Sequence, residues 1–241
     1  MDINQLLYAD ETGELVGFDE VQYLDPIPVA RIPLLIQLLQ QDNLFIVCEA
    51  AILLTSWGVD EGIAALNTLM SNKIHESIEF APHRITGKDN IYDEFAHSVH
   101  LYLLSGGNKL KAIHLFKALL DRYAHFFFES KLKRALMKNI FHVLEPNIQV
   151  ALEKSLQMKL FFQSSQLLPV LMQLDKERGR VYIQQFLNIA HTEPKVEENI
   201  AQALRYVKTH DSIELLRRYS RSSSILVKEQ AIESLKVLNN S

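Results

Sequence analysis

Cysteine occurs once in this chain of 241 residues, tryptophan once, proline seven times and glycine eight times. One cysteine cannot form an intrachain bridge, which excludes a disulfide scaffold; Cys48 lies in the apolar run Leu44-Phe-Ile-Val-Cys-Glu-Ala-Ala and reads as a small buried hydrophobe. Glycine and proline this sparse exclude collagen and low-complexity chains. Long hydrophobic runs are missing as well, because Arg31, Asp42, Glu49 and Asp60 interrupt the longest of them, and Met1-Asp-Ile-Asn-Gln has neither a basic nor an apolar leader segment. The expectation is a cytoplasmic chain without signal peptide or membrane span. What is present, 48% hydrophobic and 22% charged residues, is the composition of a globular protein able to bury its own core in one or two domains.

Positive charge is absent from the first 30 residues, where Asp2, Asp10, Glu11, Glu14, Asp19, Glu20 and Asp25 give a local net charge of −7. Residues 31–100 add −5, and residues 101–241, with 21 basic and 13 acidic side chains, carry +8. The overall −4 is therefore the average of an acidic and a basic part. Such asymmetry says little about fold, but its dipolar field orients and accelerates encounter with a charged partner.

Persistent period-2 alternation is also lacking. From residue 29 onward the apolar spacing is helical, as in Ile32, Leu35, Ile36 and Leu39, and again in Ile200, Ala203, Leu204 and Val207. Gly58, Gly62, Gly106, Gly107 and Gly179 fall where helices would stop, Pro146, Pro169 and Pro194 near starts, and Asp211-Ser-Ile-Glu214 has the spacing of a capping box. These signals place helices at 29–41, 44–57, 60–72, 91–105, 109–127, 130–144, 147–162, 165–175, 178–190, 194–208, 211–220 and 224–238. Aligning the second helix of each pair on an apolar tetrad beginning at Leu53, Leu101, Ile140, Leu171, Leu204 and Leu235 gives offsets of 48, 39, 31, 33 and 31 residues. The polar, turn-rich segment 73–90 accounts for the excess in the first.

Ala30-Arg-Ile-Pro-Leu-Leu-Ile-Gln-Leu-Leu-Gln-Gln-Asp followed by Val47-Cys-Glu-Ala-Ala-Ile-Leu-Leu, and Ser212-Ile-Glu-Leu-Leu-Arg-Arg-Tyr followed by Val227-Lys-Glu-Gln-Ala-Ile-Glu-Ser-Leu, resemble the HEAT-like α-solenoid family. Over about 28–238 the likeness implies an all-α fold, a right-handed superhelix of about six stacked antiparallel helix pairs. Domain organisation follows: an acidic N-terminal cap at 1–27, rich in Leu6, Leu7, Tyr8, Phe18, Val21 and Tyr23, and a single solenoid domain at 28–241 with an insertion at 73–90. A generic helical bundle is the competing architecture.

Catalytic signatures are not found: there is no Gly-x-Ser-x-Gly elbow, phosphate-binding glycine loop, Gly-x-Gly-x-x-Gly or Cys-x-x-Cys. Glu94, His97 and His100 lie on one helix face at metal-ligand spacing, yet a dinuclear carboxylate site needs a second such pair, so groove-lining histidines are the competing reading. Asp60-Glu61, Asp93-Glu94 and Glu197-Glu198 are adjacent on helices and diverge by about 100°, which makes no acid–base dyad. The basic stripes Lys131, Lys133, Arg134, Lys138 and Arg217, Arg218, Arg221 suit either phosphate contacts or a solvated surface. Phe126-Phe-Phe128 cannot face one side of a helix, so it either wedges between repeats or reaches a second surface.

The acidic N-terminal region carries the most functional content. Asp10, Glu11, Glu14, Asp19 and Glu20 with the aromatics Phe18 and Tyr23, joined by Asp60 and Glu61, are candidates for meeting a basic protein; a solubilising tail is the competing reading. The resemblance implies uses as scaffold, chromophore-lyase subunit, DNA-repair protein or immunity protein. The expectation is a non-enzymatic immunity or inhibitor protein, a monomer in a 1:1 complex with a basic toxin domain, with no catalytic residue, cofactor or metal assigned and no nucleic acid or membrane as partner.

Overall fold

The computed structural model describes residues 2–83, 87–189 and 194–240; Arg84-Ile-Thr86 of the inserted segment and residue 190 of an expected helix lie outside them. The chain is all-helical. Among the described residues there is no strand, only isolated bridges at Ala9–Leu15 and Pro82–Asp89, and no helix is long and apolar enough to cross a membrane. In order the helices are α1 (Ile3–Tyr8), α2 (Phe18–Val21), α3 (Ile32–Leu38), α4 (Leu44–Ser56), α5 (Asp60–Ser71), α6 (Ile91–Leu104), α7 (Lys109–Arg122), α8 (Lys131–Lys138), α9 (Glu145–Gln157), α10 (Phe161–Leu174), α11 (Lys176–Ile189), α12 (Pro194–Leu204), α13 (His210–Tyr219) and α14 (Ile225–Asn240). Contacts cluster into two compact units, residues 1–119 with 126–135, and residues 120–125 with 136–241.

In the first unit α4 is central. Val47 to Ser56 are all buried, and α1, α3, α5 and α6 pack around them. Leu6 and Leu7 of α1 and Val21 of α2 join Leu35, Leu38, Leu53, Leu54 and Trp57 in one apolar cluster, so the N-terminal segment is part of this core. In the second unit α10 is buried from Gln163 to Met172 against α9, α11 and α12, and α12 packs on α14. Each unit thus builds a helical-repeat-like arrangement around helices without a solvent face.

Local signals start or stop several helices. Asn43 accepts from Phe45 N at 3.0 Å, Asn108 from Leu110 N at 2.9 Å and Asp175 from Glu177 N at 3.0 Å. Gly58, at φ +78°, turns the chain out of α4. Several sequence expectations are corrected. Gly62 and Gly179 stand inside the first turns of α5 and α11, where a Cβ would come 2.4 Å from Thr55 N and 2.2 Å from Met172 Sδ; they are glycines of close helix approach. Pro169 lies inside α10, where complete burial of the helix outweighs the lost N–H bond. The cap of α13 is Thr209, which accepts from Ser212 N at 3.3 Å, rather than Asp211. The helix expected at 130–144 ends at Lys138, because the buried stripe Leu132, Ala135, Leu136 would continue at position 139, which is Asn; the Ile140 tetrad is therefore not helical throughout. The helix expected at 109–127 ends at Arg122, which frees the three phenyl rings to diverge.

Candidate functional site

The acidic segment is held in shape by a buried cation. Arg31 donates to the carbonyls of Ala9 and Asp10, and Asp10 Oδ1 accepts from Thr12 N and Thr12 Oγ1 at 2.8 Å and from Glu14 N at 2.9 Å. The Thr12 hydroxyl bond, ahead of these backbone donors, holds the Asp10 carboxyl below its ordinary pKa. The turn projects Glu11 and Glu14 into solvent. On α2, Phe18 packs edge-on against Tyr8 with centroids 6.1 Å apart, Val21 is fully buried, its carbonyl accepts from Trp57 Nε1 at 3.1 Å, and Asp19 and Glu20 remain exposed.

Tyr23 is 59% exposed, yet its hydroxyl is fixed 2.8 Å from His97 Nε2. Burial, followed by the charge of Lys131, pushes His97 down to about 4, so the imidazole is neutral near pH 7. Beside it Lys131 Nζ reaches Glu94 Oε1 and Oε2 at 2.6 and 2.5 Å. Burial raises the Glu94 carboxyl while Lys131 opposes the rise. Lys131 and Arg134 of α8 and Asp19 of α2 all act electrostatically on Tyr23 and His97.

Asp93 is buried and serves the fold. Its Oδ2 accepts from the backbone N–H groups of Glu129, Ser130 and Lys131 at 3.0, 2.9 and 3.0 Å, and Oδ1 from Leu132 N at 2.7 Å. A carboxylate on α6 thereby caps α8. Burial raises its pKa, and the four donors pull it back.

The inserted segment is ordered by Asp89, which accepts from Phe80 N, Ala81 N and Ile91 N at 3.1, 2.9 and 3.1 Å. Phe126 packs on His75 and Tyr92 with centroids 4.4 and 4.8 Å away, Phe127 meets His83 and lies under Lys88, and Phe128 is buried. The aromatic run thus fastens the insertion.

The sequence candidates fall into two groups. Asp10, Glu11 and Glu14 share one latched turn, with Phe18, Asp19, Glu20 and Tyr23 following on α2. Asp60 is engaged elsewhere, by Lys111 Nζ at 2.8 Å and by the Tyr102 hydroxyl, and Lys111 holds its carboxyl below the ordinary value. Glu61 beside it is exposed. Of the Glu94, His97 and His100 stripe, Glu94 pairs with Lys131 and His97 with Tyr23, and among the described residues no three His, Cys, Asp or Glu side chains converge as metal ligands. Sequence reasoning missed Arg31 as a latch and His97 as the seat of Tyr23; a lone arginine directly after a basic-free segment was the available signal for the first, and none existed for the second.

No family model and no curated protein matches the chain. Among solved structures it is similar to the crystal structure of an engineered protein, at 15% identity and a TM-score of 0.40, over 87% of this chain and 99% of that one.

Proposed function

We propose that this chain is a non-enzymatic, HEAT-like protein-binding module working in the cytoplasm, and that its acidic N-terminal surface neutralises a basic toxin domain. The observation that carries the reading is the latched turn. Glu11, Glu14 and Glu20 have no cation within 4.0 Å among the described residues, and the segment bearing them is already tied down by Arg31, Asp10, Val21 and Trp57. Ordering them costs little on binding, so the carboxylates can steer a basic partner and Tyr23 can anchor it.

The test pairs this protein with the product of the reading frame immediately upstream of its own. Association is followed by surface plasmon resonance at several salt concentrations. The charge reversal Glu11→Lys, Glu14→Lys, Glu20→Lys is expected to slow association at least about tenfold at low salt and to flatten the salt dependence. An unchanged on-rate removes the electrostatic reading, and absence of binding removes the immunity reading.

A further inference from the structure

The second unit contains an open cleft of about 760 Å³ lined by Asp211, Glu214, Leu215, Arg217, Arg218 and Arg221. Its arginines differ from Arg178, Arg180 and Arg205 of the same unit, which form ion pairs. Arg178 reaches Glu145 at 2.7 Å, Arg180 reaches Glu177 at 3.2 Å and Arg205 reaches Glu233 at 3.1 Å. Around the cleft, by contrast, no guanidinium has a carboxylate within 4.0 Å among the described residues, although Glu214 stands three and four positions before Arg217 and Arg218. Glu214 points toward His210 instead, at 3.8 Å. Arg218 lies 5.6 Å from the Tyr219 ring, and Arg217 and Arg221 line the same cleft.

Cations in a last helical turn serve the helix dipole, but that accounts only for Arg217 and Arg218. Arg221 follows the Ser220 cap, just outside the last turn of α13. Four residues further on begins α14, where Ile225 and Leu226 are 70% and 56% exposed. Three guanidiniums lining one open cleft offer planar forks for the oxygens of a phosphate group, which bidentate guanidiniums recognise better than isolated ammonium groups do.

We propose that the Arg217, Arg218 and Arg221 cleft is a binding site for a phosphate group, carried either by a free anion or by a lipid headgroup. The experiment has two arms: titration with inorganic pyrophosphate by calorimetry, and co-sedimentation with phosphatidylcholine vesicles with and without phosphatidylglycerol. The double variant Arg217→Ala, Arg221→Ala is expected to weaken whichever arm binds by at least about tenfold, and Arg217→Lys, Arg221→Lys by less, since charge survives but the fork does not. Lys109→Ala, Lys138→Ala removes the same charge from exposed positions elsewhere and is expected to leave binding unchanged; circular dichroism checks that each variant is folded. If the source is a lipid, the vesicle arm binds and Leu226→Ser weakens it; if it is a free anion, pyrophosphate binds and Leu226→Ser is silent. Binding in neither arm, or equal loss in the lysine variant, overturns the proposal.

Discussion

Compared by what they bury, the two units follow different rules. Arg31, Glu49 and Asp93, the charged side chains most deeply buried among the described residues, all belong to the first unit. The second unit buries Ser155, Gln163, Ser164, Ser165, Gln166, Asn199, Ser212 and Ser234, all neutral. In the first unit each charge ties together distant segments: Arg31 holds the acidic turn, Asp93 caps α8, and Glu49 accepts from the Tyr8 hydroxyl at 2.5 Å. In the second, amides and hydroxyls do this more gently, with Asn199 Nδ2 donating to Ser165 Oγ at 2.8 Å and the Tyr123 hydroxyl to the Gln163 carbonyl at 2.7 Å. A buried charge fixes geometry strongly because leaving it unpaired is so costly, and it makes the unit sensitive to pH; neutral groups do neither to the same degree.

The sharpest way to break this comparison is to remove one buried hydrogen-bonding side chain from each unit. Asp93→Ala strands four N–H groups and is expected to cost about 3–5 kcal/mol, whereas Asn199→Ala is expected to cost about 1–3 kcal/mol. Urea unfolding reads both, because the sole tryptophan, Trp57, is buried in the first unit and reports it by fluorescence, while circular dichroism reports all helices. Equal losses would abolish the distinction. Next comes the device the units share. Gly62→Ala drives a methyl into the backbone of Leu54 and Thr55 and is expected to cost about 2–3 kcal/mol; Gly179→Ala first meets the Met172 thioether, which can swing aside, and is expected to cost about 1 kcal/mol. Thermal melts of the two variants order them.

The smallest effect is the pH response of the first unit. His97 has a folded pKa lowered to about 4 from 6.5, so the folded state binds fewer protons than the unfolded one between these values. Stability contributed by neutral His97 is full above pH 6.5 and is lost as pH falls toward 4. Glu49, Asp93 and Glu94, raised by burial, work in the opposite sense and protonate more readily folded than unfolded. His97→Gln keeps a partner for the Tyr23 hydroxyl without titrating. The stability of wild type relative to this variant is therefore expected to fall between pH 7 and 4, with Asp19, Glu94, His100, Lys131 and Arg134 present in both; a constant difference contradicts the assignment. The raised tyrosines of the second unit, Tyr182 and Tyr219 at about 12, lose their contribution only as pH rises from 10 toward 12.

Much of this was legible in the residues themselves. The i, i+3, i+4 stripes placed α4, α5, α6, α12 and α14 within a few residues, since each needs an apolar face toward a core. Helix ends were harder. Gly62, Gly179 and Pro169 carry the same letters whether they stop a helix or let two helices touch, and only the neighbour across the gap distinguishes the cases. The candidate acids were visible from composition, but Asp60 pairs with Lys111 of α7, which no local pattern joins to it.

By itself the sequence determined the all-helical class, local contacts such as the caps that Asn43, Asn108 and Asp175 form with residues just after them, and the acidic and basic parts. All of these depend on residues a few positions apart or on simple sums of charge. Tertiary structure alone decided that Asp93 would cap a helix 38 residues away, counted to Lys131, that Arg31 would shape the acidic turn, and that His97 would be neutral beneath an exposed Tyr23. The reason is physical: desolvation and hydrogen bonding depend on what is adjacent in space, and a folded chain brings together residues whose separation in sequence carries no trace of the meeting.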